Sequence, residues 1–235
     1  CCLGGGSEIN SGLYHRIPSE VLNEWGRTWG LDCLNEKTLE NLYLENEKDV
    51  NVCLSPFTES KASSKLKEGA EKLGWSSAEI PRWFKYINQE SHGKVIGLRQ
   101  SMTETYLKTI DTDLLEVRTG SKIIGISEDK NGVKLFIKYL DKENTETHTF
   151  DTVFLACGAI NTPWLLKKSK LGPPKVGSNL RMHSTLKVIA KFEDEVTGDH
   201  PEVPVRQVKE FWPRFSLGGS ISSHSLISLG LIDNN

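Results

Sequence analysis

The amino-acid sequence predicts a mixed α/β (α+β) fold, and three stretches of the 235-residue chain carry that prediction. Residues 18–86 place apolar side chains at helical spacing, residues 121–150 alternate apolar with polar side chains, and residues 153–155 are a short continuous apolar run. Such a run is typical of a strand that a parallel sheet buries on both faces. Helices, a β-meander and one parallel strand together indicate the mixed class.

The chain opens with a glycine-rich polar loop. Three consecutive glycines at positions 4–6 precede Ser7, and Asn10 follows three residues later. Because glycine has no Cβ and adopts positive φ, such a loop can lie close to a flat ligand, a phosphate or another backbone segment. A tightly turned segment without a ligand explains the same residues.

Residues 18–90 are predicted to form a helical insertion, whose first helix opens near its start. We expect Ser19 to cap a helix whose Trp25 and Trp29 recur at helical spacing. Two tryptophans on one helical face either pack in a core or line a substrate pocket, and both interpretations stay open. A shorter helix is expected to open at Thr38.

Two more helices are expected to complete this insertion. Residues 66–74 predict one of them, with the glycine at the end of this stretch as its stop. Ser76 and Glu79 have the spacing of a capping box and predict the other, which would carry Trp83 and Ile87.

The pattern then changes from helical to strand-like. Residues 101–110 predict one further helix, and Leu115 and Val117 predict a short strand. Residues 121–150 predict a three-stranded meander with a hairpin turn at residues 130–132.

The apolar run after the meander leads into a helix. It ends in the small residues Ala156, Cys157 and Gly158, which leave room at the carboxyl end of the strand, where ligands bind in open α/β sheets. Thr162 is expected to cap the following helix, with Pro163 at its first position.

Composition limits the classes of partner and site. Lys and Arg number 29 and Asp and Glu number 31, a net charge of −2, so we expect neither a nucleic-acid nor a membrane partner. No apolar run reaches the roughly 18 residues of a spanning helix. The five cysteines form no C-x-x-C pair, so we expect reduced thiols and no metal site. The sequence contains no secretory signal, and the compartment is left as cytoplasmic or periplasmic.

Four segments, in this order along the chain, resemble the glucose–methanol–choline (GMC) family of FAD-dependent oxidoreductases. They are GGSEIN at residues 5–10, SMTETYLKTI and its continuation at residues 101–126, ACGAINTPWLLKKSKLG at residues 156–172, and VGSNLRMH at residues 176–183. They cover about half of the chain.

The resemblance implies a division of the chain. Residues 1–17 and 91–185 would be parts of an FAD/NAD(P)-binding Rossmann-like domain, residues 18–90 the helical insertion, and residues 186–235 the start of a β-rich substrate-binding domain. Alternating apolar residues at 188–192, and a Ser-, Ile- and Leu-rich stretch at 220–231, support the last assignment. The dinucleotide fingerprint and the catalytic histidine segment of the family find no match, so we expect the chain to be an inactive internal fragment of a longer enzyme.

By the same resemblance, two groups of residues would contact FAD. The first lies along the flavin and its phosphates, with Asn10 nearest the ring: Gly5, Gly6, Ser7 and Asn10. The second approaches the adenosine half: the main chain of Ile123, with Ala156, Cys157 and Gly158. Some members attach the flavin covalently through a histidine at the position of Ile9, and since isoleucine cannot form that bond we expect non-covalent FAD.

The family oxidises an alcohol by removing its hydroxyl proton with a base while hydride passes to the flavin. The resemblance therefore implies the middle portion of an FAD-dependent alcohol oxidoreductase, with a small-molecule alcohol as partner. No catalytic residue is assigned, and His183 is expected to pack or to form a hydrogen bond. Two alternatives stay open: a flavoprotein of the same fold with a different reaction, and a binding module without cofactor or catalysis.

Overall fold

The computed structural model describes residues 2–89, 94–111, 113–196 and 205–219. The chain divides into two compact units. The first unit comprises Cys1–Asp111 and Val188–Asn235, and the second comprises Thr112–Lys187. The predicted strand region at residues 220–231 lies outside the described residues.

The helices of the described residues are α1 (Ser19–Trp29), α2 (Glu36–Asp49), α3 (Lys61–Lys72), α4 (Tyr106–Thr109) and α5 (Gly158–Lys168). The strands are β1 (Val52–Cys53), β2 (Ser77–Glu79), β3 (Arg82–Gln89), β4 (Lys94–Arg99), β5 (Ser121–Asp129), β6 (Gly132–Tyr139), β7 (Thr145–Phe150), β8 (Arg206–Val208) and β9 (Leu217–Gly218).

Helices α1, α2 and α3 confirm the helical prediction for the start of the insertion, with shifted N-terminal ends. Ser19 is the first residue of α1 rather than its cap, because Pro18 occupies the capping position. Helix α2 begins before Thr38, since the Asn35 carboxamide accepts a hydrogen bond from the Thr38 N–H at 3.0 Å. Trp29 is 64 % exposed, so it does not belong to a core stripe.

The helix predicted from Ser76 and Glu79 is wrong, because strands β2 and β3 occupy this stretch. Both polar side chains of the supposed capping box have distant partners. The Ser76 hydroxyl donates to the Glu210 carboxylate at 3.2 Å, and Glu79 accepts a hydrogen bond from the Ser55 N–H at 3.2 Å. Neither side chain is therefore available to cap a helix.

Two antiparallel sheets organise the first unit, in the strand orders β1-β3-β4 and β2-β8-β9. Residues 12–14 run beside β3: the Trp83 N–H donates to the Gly12 carbonyl at 3.0 Å, and the Tyr14 N–H donates to the Pro81 carbonyl at 2.9 Å. The glycine-rich start of the chain is thereby fixed to a sheet. Among the described residues of this unit, the buried apolar side chains are Leu22, Val50, Ala70, Ile80, Val205 and Val208.

The second unit contains the predicted three-stranded meander, in the order β5-β6-β7, and confirms it. Ile124 lies in a bulge of β5, between the pairs that Ile123 and Gly125 make with β6. Helix α5 packs on β5, and the Ser169 hydroxyl after its last turn accepts a hydrogen bond from the Ile126 N–H at 2.8 Å. The buried apolar side chains of this unit are Ile126, Ile137 and Leu165.

Three predicted strands are absent from the described residues. The run at 153–155 is not a buried strand, and Phe154 is 91 % exposed. No strand forms at Leu115 and Val117, nor at residues 188–192, where Val188 is 91 % exposed. A strand needs a hydrogen-bonded neighbour, and no strand of the described residues pairs with any of these stretches.

Two predicted helices have different bounds from those expected. Helix α5 begins at Gly158, before Thr162, and contains Pro163 in its interior; the Thr162 hydroxyl accepts a hydrogen bond from the Cys157 N–H at 3.1 Å. Within residues 101–110 only α4 is helical, because Thr105 has a non-helical backbone (φ −116°, ψ −95°).

Candidate functional site

The glycine-rich loop forms a single 3₁₀ turn, Gly5–Glu8, which we call the glycine turn. Gly4 and Gly5 have φ values of 80° and 59°, the left-handed region that favours glycine. The Ser7 side chain is buried, donates to the Gly4 carbonyl at 2.6 Å, and accepts from the Met102 N–H at 3.1 Å. The Ser7 hydroxyl therefore links the start of the glycine turn to the main chain at Met102, on the buried side of the turn.

The opposite face of the glycine turn is open. Gly5 and Gly6 are exposed, and a Cβ built on either would have no neighbour within 4 Å. Asn10 is also exposed, and its Oδ1 accepts a hydrogen bond from the Gly12 N–H at 3.0 Å, which orients the carboxamide. A flat ligand can approach this backbone without meeting a side chain.

Polar side chains from residues 99–105 hold the glycine turn in place. Glu8 Oε1 accepts hydrogen bonds from the Thr103 hydroxyl at 2.8 Å and from the Thr103 N–H at 3.4 Å. The Thr103 hydroxyl, more than the other donors, holds the pKa of the Glu8 carboxyl below its usual value. Arg99 Nη1 donates to the Glu8 carbonyl oxygen at 2.5 Å.

The chain beyond Asn10 packs against aromatic side chains. Gly12 has a φ of 68°, and a Cβ there would lie 2.9 Å from the Trp83 indole and would collide with the Phe84 ring. Only glycine allows this close contact.

The segment that follows Gly12 is held by ionic contacts. Arg16 donates to Glu47 and also, from Nη1, to Glu40 at 2.9 Å, while its guanidinium lies over the Tyr43 ring. His15 is exposed, with Nδ1 3.2 Å from Lys209 Nζ; partial desolvation, and then the charge of this lysine, lower the pKa of His15.

The second group of predicted residues lies in the second unit. Ala156, Cys157 and Gly158 are exposed and adjoin the first turn of α5. Gly158 has a φ of 84°, and a Cβ there would have no neighbour within 4 Å. Ile123 lies on β5, opposite Ile137. The structure therefore brings together Gly5, Gly6, Ser7 and Asn10 in one unit, and places the other four residues in the other unit.

Sequence reasoning missed Glu8, Arg99 and Thr103. Their partners are more than 90 positions away, so no local spacing could have indicated the contacts. The cue present in the sequence is an acidic residue, Glu8, inside an otherwise uncharged loop. His183 was expected to pack or to form a hydrogen bond, and its exposed side chain excludes packing.

Among the residues that the structure describes, no group of three or more His, Cys, Asp or Glu side chains is arranged to hold a metal ion. None of the helices in these ranges combines the length and the apolar character needed to cross a bilayer.

Comparison with known proteins gives consistent matches. The model of a family described as GMC oxidoreductase matches residues 1–185. The "Uncharacterized GMC-type oxidoreductase y4nJ" of Sinorhizobium fredii is 30% identical over 241 residues, which cover 99% of this chain and 47% of that protein. The "Long-chain-alcohol oxidase FAO4A" of Arabidopsis thaliana is 26% identical, over 82% of this chain and 28% of that protein.

A third similar protein is the "Uncharacterized GMC-type oxidoreductase Rv0492c" of Mycobacterium tuberculosis, 24% identical over 83% of this chain and 32% of that protein. The chain thus spans about half, or less, of the length of the curated relatives that it matches.

Proposed function

The chain belongs to the GMC oxidoreductase family, whose members bind FAD, and from this membership we propose that it is the middle portion of an FAD-dependent enzyme that oxidises an alcohol. The observation that carries the proposal is the glycine turn, Gly5–Glu8, with its side-chain-free outer face. A flat, tightly held cofactor needs backbone that it can approach closely, and this turn supplies it.

The residues assigned to the flavin half fit FAD in two ways, through their main chain or through a side chain. Gly5 and Gly6 would contact the cofactor through their exposed backbone, and Asn10 through its exposed carboxamide. Ser7 would act through its main chain, because its hydroxyl is already engaged by Gly4 and Met102. When bound, FAD supplies the acceptor for the hydride that leaves the alcohol carbon.

The adenosine half of the cofactor is assigned to the second unit. Ala156, Cys157 and Gly158 are exposed at the beginning of α5, where small side chains leave the backbone accessible. The main chain of Ile123 on β5 is the fourth member of this group. We assign the cofactor as non-covalent, because Ile9 has no nucleophilic atom.

For the substrate we propose a long-chain alcohol. The support is the similarity to several Arabidopsis thaliana proteins named long-chain-alcohol oxidases, which are 20% to 26% identical over 82% of this chain. A base near neutral pH is required to remove the hydroxyl proton, and no residue of this chain is assigned to that task.

The test uses the full-length protein that contains this chain. Purified protein is expected to be yellow, and acid precipitation should release the flavin into the supernatant; a yellow pellet would show a covalent bond. Anaerobic addition of alcohols of increasing chain length should bleach the flavin absorbance, most rapidly with the longest chains. Glucose and choline serve as controls.

The outcomes separate the open alternatives. Bound flavin that no alcohol reduces would indicate a flavoprotein with another reaction, and a colourless protein that takes up no added FAD would indicate a binding module. Asn10→Ala should weaken FAD binding, whereas Asn23→Ala, on the exposed face of α1, should leave it unchanged.

A further inference from the structure

We infer that Glu8, Arg99 and Thr103, together called the Glu8 brace, position the glycine turn so that it is preorganised for the flavin. This inference rests on the proposed function. In the Glu8 brace, Glu8 acts as a positioning residue: its contacts are to the turn and to residues 99–103, and its effect on the cofactor passes through the backbone of Gly5 and Gly6.

Both the side chain and the main chain of Glu8 accept hydrogen bonds from residues 99–103. Its carboxylate accepts from the Thr103 hydroxyl at 2.8 Å and from the Thr103 N–H at 3.4 Å, and its carbonyl oxygen accepts from Arg99 Nη1 at 2.5 Å. Hydrogen bonds to charged groups are the stronger kind. Because Glu8 is the last residue of the glycine turn, these contacts fix the C-terminal end of the turn immediately before Ile9 and Asn10.

The Glu8 carboxylate also fixes the beginning of the turn. It folds back over Gly4, where a Cβ would collide with Glu8 Oε1. Gly4 has a φ of 80°, and its carbonyl accepts a hydrogen bond from the Ser7 hydroxyl at 2.6 Å. Gly4 and Glu8 are therefore packed against each other, while the Cβ positions of Gly5 and Gly6 between them stay open.

The protons in this cluster have one consistent arrangement. An ionised carboxylate can only accept, so the single proton of the Thr103 hydroxyl is donated to Glu8. Ser101 Oγ lies 3.0 Å from Thr103 Oγ1 and must then be the donor in that pair. Ser101 is 2 % exposed, so the chain of hydrogen bonds from Ser101 through Thr103 to Glu8 begins in the interior.

The arrangement depends on the charge of Glu8. The pKa of Glu8 is lowered, first by the Thr103 hydroxyl, so the carboxylate is ionised at neutral pH. Arg99 donates to the main-chain carbonyl of Glu8 and not to its carboxylate, and the carboxylate's other neighbours are the hydroxyls of Ser7, Ser101 and Thr103. Protonation would replace a charged acceptor of the Thr103 hydroxyl by a neutral, weaker one, so the turn should loosen in acid.

The experiment measures FAD binding to the apo form of the full-length flavoprotein, by flavin fluorescence, across the acid range. Glu8→Ala and Thr103→Val should each raise the Kd for FAD by between about twofold and tenfold, the range expected when one hydrogen bond is lost. The Kd of the double variant for FAD should be no higher than that of the single variant that binds FAD more weakly, because both substitutions break the same contact. Glu104→Ala is the matched control, since Glu104 forms an exposed pair with Lys108.

A pH profile separates positioning from ordinary stability. In the wild-type protein the Kd should rise as pH falls through the pKa of Glu8, and in Glu8→Gln that inflection should disappear, because the amide is a neutral acceptor at every pH. Hydrogen exchange should show faster loss of protection at the Met102 and Thr103 amides in Glu8→Ala than in Glu104→Ala.

Wild-type affinity for FAD in Glu8→Ala or Thr103→Val, or an unchanged pH inflection in Glu8→Gln, would overturn the Glu8 brace while leaving the proposed function intact. Additive losses in the double variant would also overturn it, since they would show two independent contacts. A wild-type protein that binds no flavin would overturn the proposed function, and the inference with it.

Discussion

The Arg16 guanidinium donates two parallel hydrogen bonds to the Glu47 carboxylate, from Nε at 2.6 Å and from Nη2 at 2.8 Å. This two-pronged geometry is the strong form of the arginine–carboxylate pair. It joins the segment that follows Asn10 to α2, a helix with no buried residue of its own. This pair therefore holds α2 together with two other polar contacts, from the Ile17 N–H to the Tyr43 hydroxyl and from the Tyr106 hydroxyl to Asn46 Oδ1.

We expect Glu47→Gln to destabilise the protein by about 1 kcal/mol at neutral pH, a value already reduced for the partial exposure of both side chains. The hydrogen bond from Arg16, first among the causes, lowers the pKa of Glu47 in the folded state. The contribution is therefore present above the usual glutamate pKa and is lost as pH falls through the lowered value. Urea unfolding at several pH values should show the wild-type advantage shrinking in acid, while Glu40→Gln, at the more exposed partner, costs less.

Tyr14 should titrate far into the alkaline range. Burial, followed by a hydrogen bond and the charge of Glu47, raises its pKa to about 12. A phenol with a raised pKa stabilises the folded state below the ordinary tyrosine pKa of about 10 and loses this contribution as pH rises towards 12. Ultraviolet titration of tyrosinate should lose one late step in Tyr14→Phe and shift that step to lower pH in Glu47→Gln. A Tyr14→Phe titration identical to that of the wild type would contradict the assignment.

Gly12→Ala should destabilise the protein strongly, because its Cβ would meet both Trp83 and Phe84 at a φ of 68°. Gly30→Ala is the matched control: its φ is 67°, but a Cβ there has no neighbour within 4 Å. Both variants carry the backbone strain of about 1–2 kcal/mol, and Gly12→Ala should add roughly 1–3 kcal/mol of overpacking. Equal losses of unfolding free energy for the two variants would show that the aromatic contact is absent.

Gly158→Ala tests the adenosine half of the proposed FAD site. The φ of Gly158 is 84° and its Cβ position is empty, so the substitution should reduce stability modestly but raise the Kd for FAD about tenfold or more. Gly74→Ala, at a φ of 69° and also with no neighbour within 4 Å of its Cβ, carries similar strain at a residue that is not assigned to the proposed site. Fluorescence titration with FAD and thermal unfolding of both variants separate the two effects. Equal FAD affinities of Gly158→Ala and its control would show that Gly158 does not contact FAD.

Local patterns predicted the parts of the fold that local contacts build. The alternation over Val133 and Leu135 predicted β6, because its partners in β5 and β7 are adjacent along the chain. Ser76 misled the helix prediction because its hydroxyl bonds to Glu210, more than 130 positions away. Phe154 was predicted to be buried by neighbouring strands, which the described residues do not provide.

The candidate site also has features that the sequence predicts and features that it does not. The conformational freedom of Gly4 and Gly5 is readable from residue type alone, since glycine is the residue that adopts positive φ readily. The contacts of Glu8 with Thr103 and Arg99 join positions more than 90 residues apart, and no periodicity reports such contacts.

The pairing of β2 with β8 has a consequence for the order in which the protein folds. The Arg206 guanidinium and the Ser77 hydroxyl are hydrogen-bonded across 129 positions, whereas β5, β6 and β7 are joined by short connections. Non-local pairing is slow, and chains fold domain by domain as they are synthesised. The meander should therefore be complete while the first unit still lacks β8 and β9, and ribosome-bound chains that stop before β8 should show protected amides in β6 but not in β2.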